Sequence, residues 1–230
     1  MKTIGLIGGM SWESSAEYYR LLNEQVKQRL GGLHSAECLM YSVDFEEIER
    51  FQSEGKWEEA GERLAAVARS LEKGGAELIV LCTNTMHKVI SSIEEAVSVP
   101  VLHIADATAK EIEVNNLHTV GLLGTKYTME QDFYKERIAE SGIEVLIPEA
   151  TERVMINQII FDELCLGEIN DSSKVKYQKA IQNLIDCGAE GIILGCTEIG
   201  LLIKQEDSAV PLFDTAKIHA IAAVNEALDE

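Results

Sequence analysis

GAELIVLCTNT (75–85) and GAEGIILGCTE (188–198) lie 113 positions apart and agree at five of eleven places. Each runs from Gly-Ala-Glu through a short apolar stretch into a small polar cluster. A continuous apolar run of that length, closed by small polar residues, is the pattern of a parallel strand buried on both faces. The same kinship holds on either side. Upstream, TIGLIGGMSWESSAEYY (3–19) matches TVGLLGTKYTMEQDFYK (119–135) at an offset of 116, with five identities over 3–18. Downstream, VPVLHIA (99–105) matches VPLFDTA (210–216) at an offset of 111. Three blocks in one order describe two copies of a single plan, and a repeat decides the fold before any local signal does.

Between the apolar runs the spacing turns helical. Ile48, Trp57, Leu64, Val67 and Leu71 recur in this way between Phe45 and Lys73, as do the apolar residues between Ala180 and Ile185. Strands alternating with helices predict an α/β fold: two pseudo-symmetric α/β domains with mainly parallel sheets, covered by helices on both faces. The polar break at Asn115-Asn116 sets the expected boundary, giving halves of 1–115 and 116–230. The last helix, about 216–230, is left open to pack on either half. Ligands of open parallel sheets gather at the carboxyl ends of the strands. Attention therefore falls on Gly8–Ser11, Cys82–Thr85, Gly124–Thr128 and Cys196–Glu198.

Composition narrows the function classes. The 230 residues are 46% hydrophobic and 26% charged, as in ordinary globular proteins. Acidic residues outnumber basic ones 39 to 20, for a net charge of −19. That balance repels phosphate backbones and anionic membranes, so neither nucleic acid nor a membrane is expected as partner. No apolar run nears the ~18–20 residues needed to span a bilayer. MKTIGLIGGM reads as a first strand rather than a signal peptide, and a cytoplasmic location is expected. The five cysteines lack a CxxC pair, which argues against a disulfide framework and against a zinc ribbon. GLIGGM is not GxGxxG and supports no dinucleotide site.

The repeat carries chemistry as well. At offset 113, Cys196 falls on Thr83 and Gly195 on Cys82. A pseudo-twofold relation would set Cys196 and Thr83 face to face, with the active site in the cleft between the halves. Two opposed acid/base groups around one carbon are what proton inversion requires. A helix N-terminus after Cys196 is expected to lower its thiol pKa. Backbone N–H groups there would hold a substrate carboxylate and stabilise a developing carbanion. Thr83 is the poorer base. Cys82 sits one residue early, and strand alternation turns its side chain to the other face; it remains the alternative, after a local backbone adjustment.

The segments GLIGGMSWESS, LCTNTMH and LGCTEIGLL resemble the signatures of the PLP-independent aspartate/glutamate racemase family over nearly the whole chain. The resemblance implies two pseudo-symmetric α/β domains, two catalytic thiols, no pyridoxal phosphate, no metal and a homodimer. Carried over by position, Cys196 is the second-half catalytic residue and Thr83 stands where the first thiol is expected. This is closest to a racemase subgroup with Thr at that place, for which unequal rates in the two directions follow. Aspartate-specialised members are expected to carry Lys in an E-x-K-x-G-like segment, where this chain reads DELCLG with Cys165. An unpaired buried carboxylate is costly, so a broader range including glutamate and homoserine beside aspartate is expected, with Arg50 or Gln52 as substitute donors. Met10, Gln52, Asn84, Thr85, Thr197 and Glu198 complete the expected substrate-binding set, with Ser11, His87 and His103 as lesser candidates. Glu198 either holds the substrate ammonium or caps its helix. Two rival readings stand beside the racemase: a single-cysteine decarboxylase or isomerase on the same scaffold, and a non-catalytic amino-acid-binding protein.

Overall fold

The computed structural model describes residues 1–228. The chain divides into two compact units, Met1–His103 with the stretch from His219, and Ile104–Ile218. The first contains β1 (Ile4–Gly8), α1 (Trp12–Leu30), β2 (Cys38–Ser42), α2 (Phe45–Ser53), α3 (Trp57–Lys73), β3 (Leu78–Leu81), a 3-10 turn (Thr85–Val89), α4 (Ile90–Glu94) and β4 (Val101–Leu102). The second contains α5 (Ile104–Val114), β5 (Thr119–Gly124), α6 (Lys126–Glu130), α7 (Asp132–Ala139), β6 (Glu144–Leu146) and α8 (Ala150–Asp162). A 3-10 turn (Leu164–Leu166), α9 (Asp171–Asp186), β7 (Gly191–Gly195), α10 (Ile199–Leu202) and β8 (Leu212–Asp214) follow, and then α11 (Thr215–Leu228), which belongs to the first unit from His219 onward. No described helix is long and apolar enough to cross a membrane.

Among the described residues, each unit has one four-stranded parallel sheet, ordered β2-β1-β3-β4 in the first and β6-β5-β7-β8 in the second. The register reproduces the sequence repeat. Ile4 opposite Leu78 in the first sheet becomes Val120 opposite Gly191 in the second, each residue displaced by its own block's offset. Ile79 opposite Val101 likewise becomes Ile192 opposite Leu212. The central strands β1, β3 and β7 are buried along their whole length, while the edge strand β2 is largely exposed. That is why the central runs are continuously apolar.

The recurrent Gly-Ala-Glu has a separate job at each letter. Gly75 and Gly188 end the preceding helix regions with φ of +102° and +104°, a conformation that a side chain disfavours. Ala76 and Ala189 are buried in the two cores. Glu77 accepts a hydrogen bond from the Thr3 N–H (2.9 Å), and Glu190 accepts from those of His118 (2.7 Å) and Thr119 (3.0 Å). Each carboxylate thereby holds the start of the central strand beside it.

The unit division does not fall at Asn115-Asn116. Those residues close α5, with Asn116 in the left-handed region at φ 55°. Buried Ile104, Ala105, Ala109 and Ile112 of α5 pack with Val120, Leu122, Ile138 and Phe213 of the second unit. At the other end, Lys2 N–H donates to the Ala227 carbonyl (2.8 Å), tying α11 to the first strand.

Candidate functional site

In each sheet the strand order reverses beside the first strand, between β1 and β3 and between β5 and β7. The crevice at the carboxyl end of such a switch point is where open α/β sheets bind ligands. Both unusual turns of the sequence lie there.

In the first unit, β1 runs into Gly9, whose φ of +95° and close approach to the Val43 backbone leave no room for a Cβ. Ser15 Oγ accepts from the Gly9 N–H at 2.7 Å, and Ser11 caps α1 by accepting from Ser14 N–H at 3.3 Å. The Met10–Ser11 peptide is cis. Met10 packs into the core with Ile7, Val43 and Met86. Beside this loop β3 ends, and Thr83, Asn84 and Thr85 follow, each buried. The Thr83 carbonyl accepts from His87 Nδ1 at 2.7 Å. Gln52 of α2 is buried and turns its amide to the Met86 sulfur at 3.1 Å, supporting this turn from behind. Arg50 is exposed and lies over the Phe51 ring.

Cys82, the residue before Thr83, lies just past the end of β3. Its side chain is fully buried, and its thiol is directed at the Val80 carbonyl, 3.8 Å away. Burial, reinforced by neighbouring Cys38, drives its pKa far upward, so it is a poor source of thiolate.

In the second unit, β7 delivers Cys196, Thr197 and Glu198, all buried. Cys196 Sγ donates to Glu198 Oε2 at 2.9 Å, and Thr197 Oγ1 donates to the same oxygen at 3.0 Å. Glu198 makes no side-chain cap bond to α10, and its Oε2 accepts from both of its neighbours. The expectation of a helix-lowered thiol is overturned here. Burial and then the Glu198 carboxylate push the Cys196 pKa well above its ordinary value, and a four-residue α10 offers little dipole to oppose them. At rest Cys196 is a thiol aimed at a carboxylate. Cys165 adds to the same upward pressure, and its 3-10 turn packs against the core that contains Cys196.

Thr125 lies in the Gly124–Thr128 stretch at the end of β5. It is buried, follows Gly124 directly where that residue pairs with Gly195, and its Oγ1 lies 3.2 Å from that of Thr128. Its signal was its place after β5, the counterpart of Gly9 after β1. Among the described residues no group of three or more His, Cys, Asp or Glu is arranged to hold a metal ion.

The family model described as Asp/Glu/Hydantoin racemase matches residues 7–223. A Bacillus subtilis (strain 168) protein named broad specificity amino-acid racemase RacX is 25% identical over 239 residues, covering 96% of each chain. A crystal structure of a provisionally named Asp/Glu racemase from Yersinia pestis aligns over 100% of both chains with 54% identity and a TM-score of 0.92. An aspartate racemase homologue from Pyrococcus horikoshii OT3 aligns over 100% of both chains with 38% identity and a TM-score of 0.86.

Proposed function

Because this chain belongs to the Asp/Glu/hydantoin racemase family, we propose that it inverts the α-carbon of a free amino acid by proton transfer, with Cys196 serving one face and Thr83 the other. One observation carries the reading: a buried thiol donating to a buried carboxylate, Cys196 to Glu198 at 2.9 Å, at the strand end that corresponds to Thr83 in the repeat. Glu198 takes the thiol proton, and the thiolate removes the substrate α-proton. The developing carbanion takes a proton on its opposite face from the Thr83 hydroxyl or from a water that Thr83 holds. The proton left on Glu198 and the charge left at Thr83 then cancel through solvent, which resets the site. Asn84, Thr85 and Thr197 are assigned to hold the substrate's polar groups.

We place the chain in a subgroup with Thr at the first thiol's position. A hydroxyl gives a proton to a carbanion readily but removes one from carbon poorly. Turnover is therefore faster in the direction where Cys196 removes the α-proton. The two enantiomers have equal free energies in water, so kcat/KM must be the same in both directions. The bias appears as kcat and KM rising together in one of them.

For the substrate, Cys165 puts a neutral thiol where an E-x-K-x-G segment would put an ammonium. An aspartate side-chain carboxylate loses that partner, and its burial costs accordingly. We assign a broad range, with neutral polar side chains such as homoserine beside aspartate and glutamate. The name of the Bacillus subtilis relative supports such breadth.

The test is formation of D-product from L-aspartate, L-glutamate and L-homoserine, with Cys196→Ala as control. Inversion of one or more of these, abolished in the variant, is the expected result. Full activity of Cys196→Ala would end the mechanism. Deuterium exchange at Cα without inversion in the unaltered protein would point to one-face protonation instead, and binding without exchange to a non-catalytic role.

A further inference from the structure

We infer that His87 is a positioning residue for Thr83, holding it through the main chain rather than through its hydroxyl. The inference rests on the reading that Thr83 acts at the α-carbon. A regular helix after β3 would satisfy the Thr83 carbonyl with the backbone N–H of His87, four residues on. The turn is 3-10 instead, and that N–H goes to the Asn84 carbonyl at 3.1 Å. The side chain supplies the bond that the ladder omits, His87 Nδ1–H to Thr83 O at 2.7 Å. Because a carbonyl only accepts, this bond requires the tautomer with its proton on Nδ1.

The ring that makes this bond is itself immobilised. Its centroid lies 4.6 Å from that of His103 and 5.9 Å from that of His219, both edge-on. His219 is fully buried and fixed at both nitrogens: Nε2–H donates to the Leu102 carbonyl at 3.0 Å, and Nδ1 accepts from the Tyr18 hydroxyl at 2.9 Å. A chain of ordered polar rings thus runs from α1 and α11 to the Thr83 turn. Burial, then His103 and His219, keep the His87 ring neutral.

The repeat shows that the device is specific to one unit. At the offsets of 113 and 111, His87 and His103 correspond to Gly200 and Asp214. A Cβ at Gly200 would meet the Asp214 carboxylate, the end of a side chain that would have to turn away to admit it. The Cys196 turn has Glu198 to serve its thiol. The Thr83 turn has Thr85 at the place of Glu198 and is braced by an imidazole.

The test compares His87→Asn, His87→Gln and His87→Leu for inversion rate, for Cα deuterium exchange without inversion, and for thermal stability. Asn carries an N–H near the place of Nδ1–H, whereas Gln extends its donor towards Nε2 and Leu has none. The expected result is inversion within a few-fold of the original for His87→Asn. For the other two, a displacement on the order of 1 Å at Thr83 should lower kcat by about 10²-fold, with KM little changed and one-face exchange from Cys196 retained. Equal inversion by the Asn and Gln variants, or equal loss of exchange and inversion, would overturn the assignment, and the Asn–Gln comparison decides even if His87→Leu does not fold. Thr83→Ala is assayed in parallel. Unchanged inversion there would sink the role given to Thr83, an outcome distinct from failure of the His87 bond alone.

Discussion

Replacing Glu198 separates chemistry from architecture more cleanly than replacing the thiol. Two buried donors converge on Glu198 Oε2, Cys196 Sγ at 2.9 Å and Thr197 Oγ1 at 3.0 Å. Glu198→Ala strands both donors. The stranded Thr197 hydroxyl costs about 1–3 kcal/mol, and the thiol, a weak donor, adds less. Glu198→Gln has the same shape and keeps an acceptor oxygen, so it should cost no more than about 1 kcal/mol, the worth of an ordinary hydrogen bond. The kinetic effect should be similar in both, because neither an amide nor a methyl takes a proton from sulfur. A positioned general base contributes about 10²–10⁴ in rate, which is about 3–5 kcal/mol of barrier. The Glu198 carboxylate also raises the Cys196 pKa, so its removal should let the thiol ionise at lower pH. Alkylation of Cys196 against pH, urea unfolding and racemisation are measured on the same preparations. The expected pattern for Glu198→Gln is near-original stability, earlier thiol ionisation and activity at least about 10²-fold lower. Original activity, or thiol ionisation moved to higher pH, would refute the role given to this carboxylate.

Other consequences are as direct. Cys82→Ala should leave racemisation unchanged, since the thiol is fully buried and turned to Val80; comparable losses for Cys82→Ala and Thr83→Ala would restore Cys82 as a candidate. His219 has its pKa lowered from 6.5 to about 4 by burial, so its contribution to stability is complete above about pH 6.5 and is lost as pH falls towards 4. By pH 5 that loss amounts to about 2 kcal/mol, and urea unfolding of the original protein and His219→Gln at pH 7 and pH 5 should show the gap between them narrowing by that amount. Gly75→Ala and Gly188→Ala should each cost about 1–2 kcal/mol from backbone conformation alone, because nothing lies within 4 Å of either position to clash with a methyl; unaltered melting temperatures would count against the equivalence of the two turns.

Much of this was present in the linear order of residues. The offsets of 116, 113 and 111 marked two copies of one plan, and the register of the second sheet repeats that of the first at those offsets. They also set Thr83 in the position of Cys196 before any coordinate was known. Cys82 lies one residue past β3, fully buried, with its thiol at the Val80 carbonyl. The helical spacing between Phe45 and Lys73 was right in type, although it resolves into α2 and α3 with a turn at Glu54–Lys56.

What the sequence did not decide depends on groups far apart in the chain or on burial. Asn115-Asn116 looked like a boundary because polar residues end helices as readily as they join domains. Only the packing of Ile104, Ala109 and Ile112 with Phe213 assigns α5 to the second unit. The ionisation of Cys196 was misjudged for the same reason. A motif gives the residue next to a strand end, but desolvation and the direction of the Glu198 carboxylate are properties of the folded site. His87 and His219, 132 positions apart in sequence, become neighbours only when α11 returns to the first unit. Periodicity is local and survives in one dimension; the electrostatics of a buried group is set by everything that surrounds it.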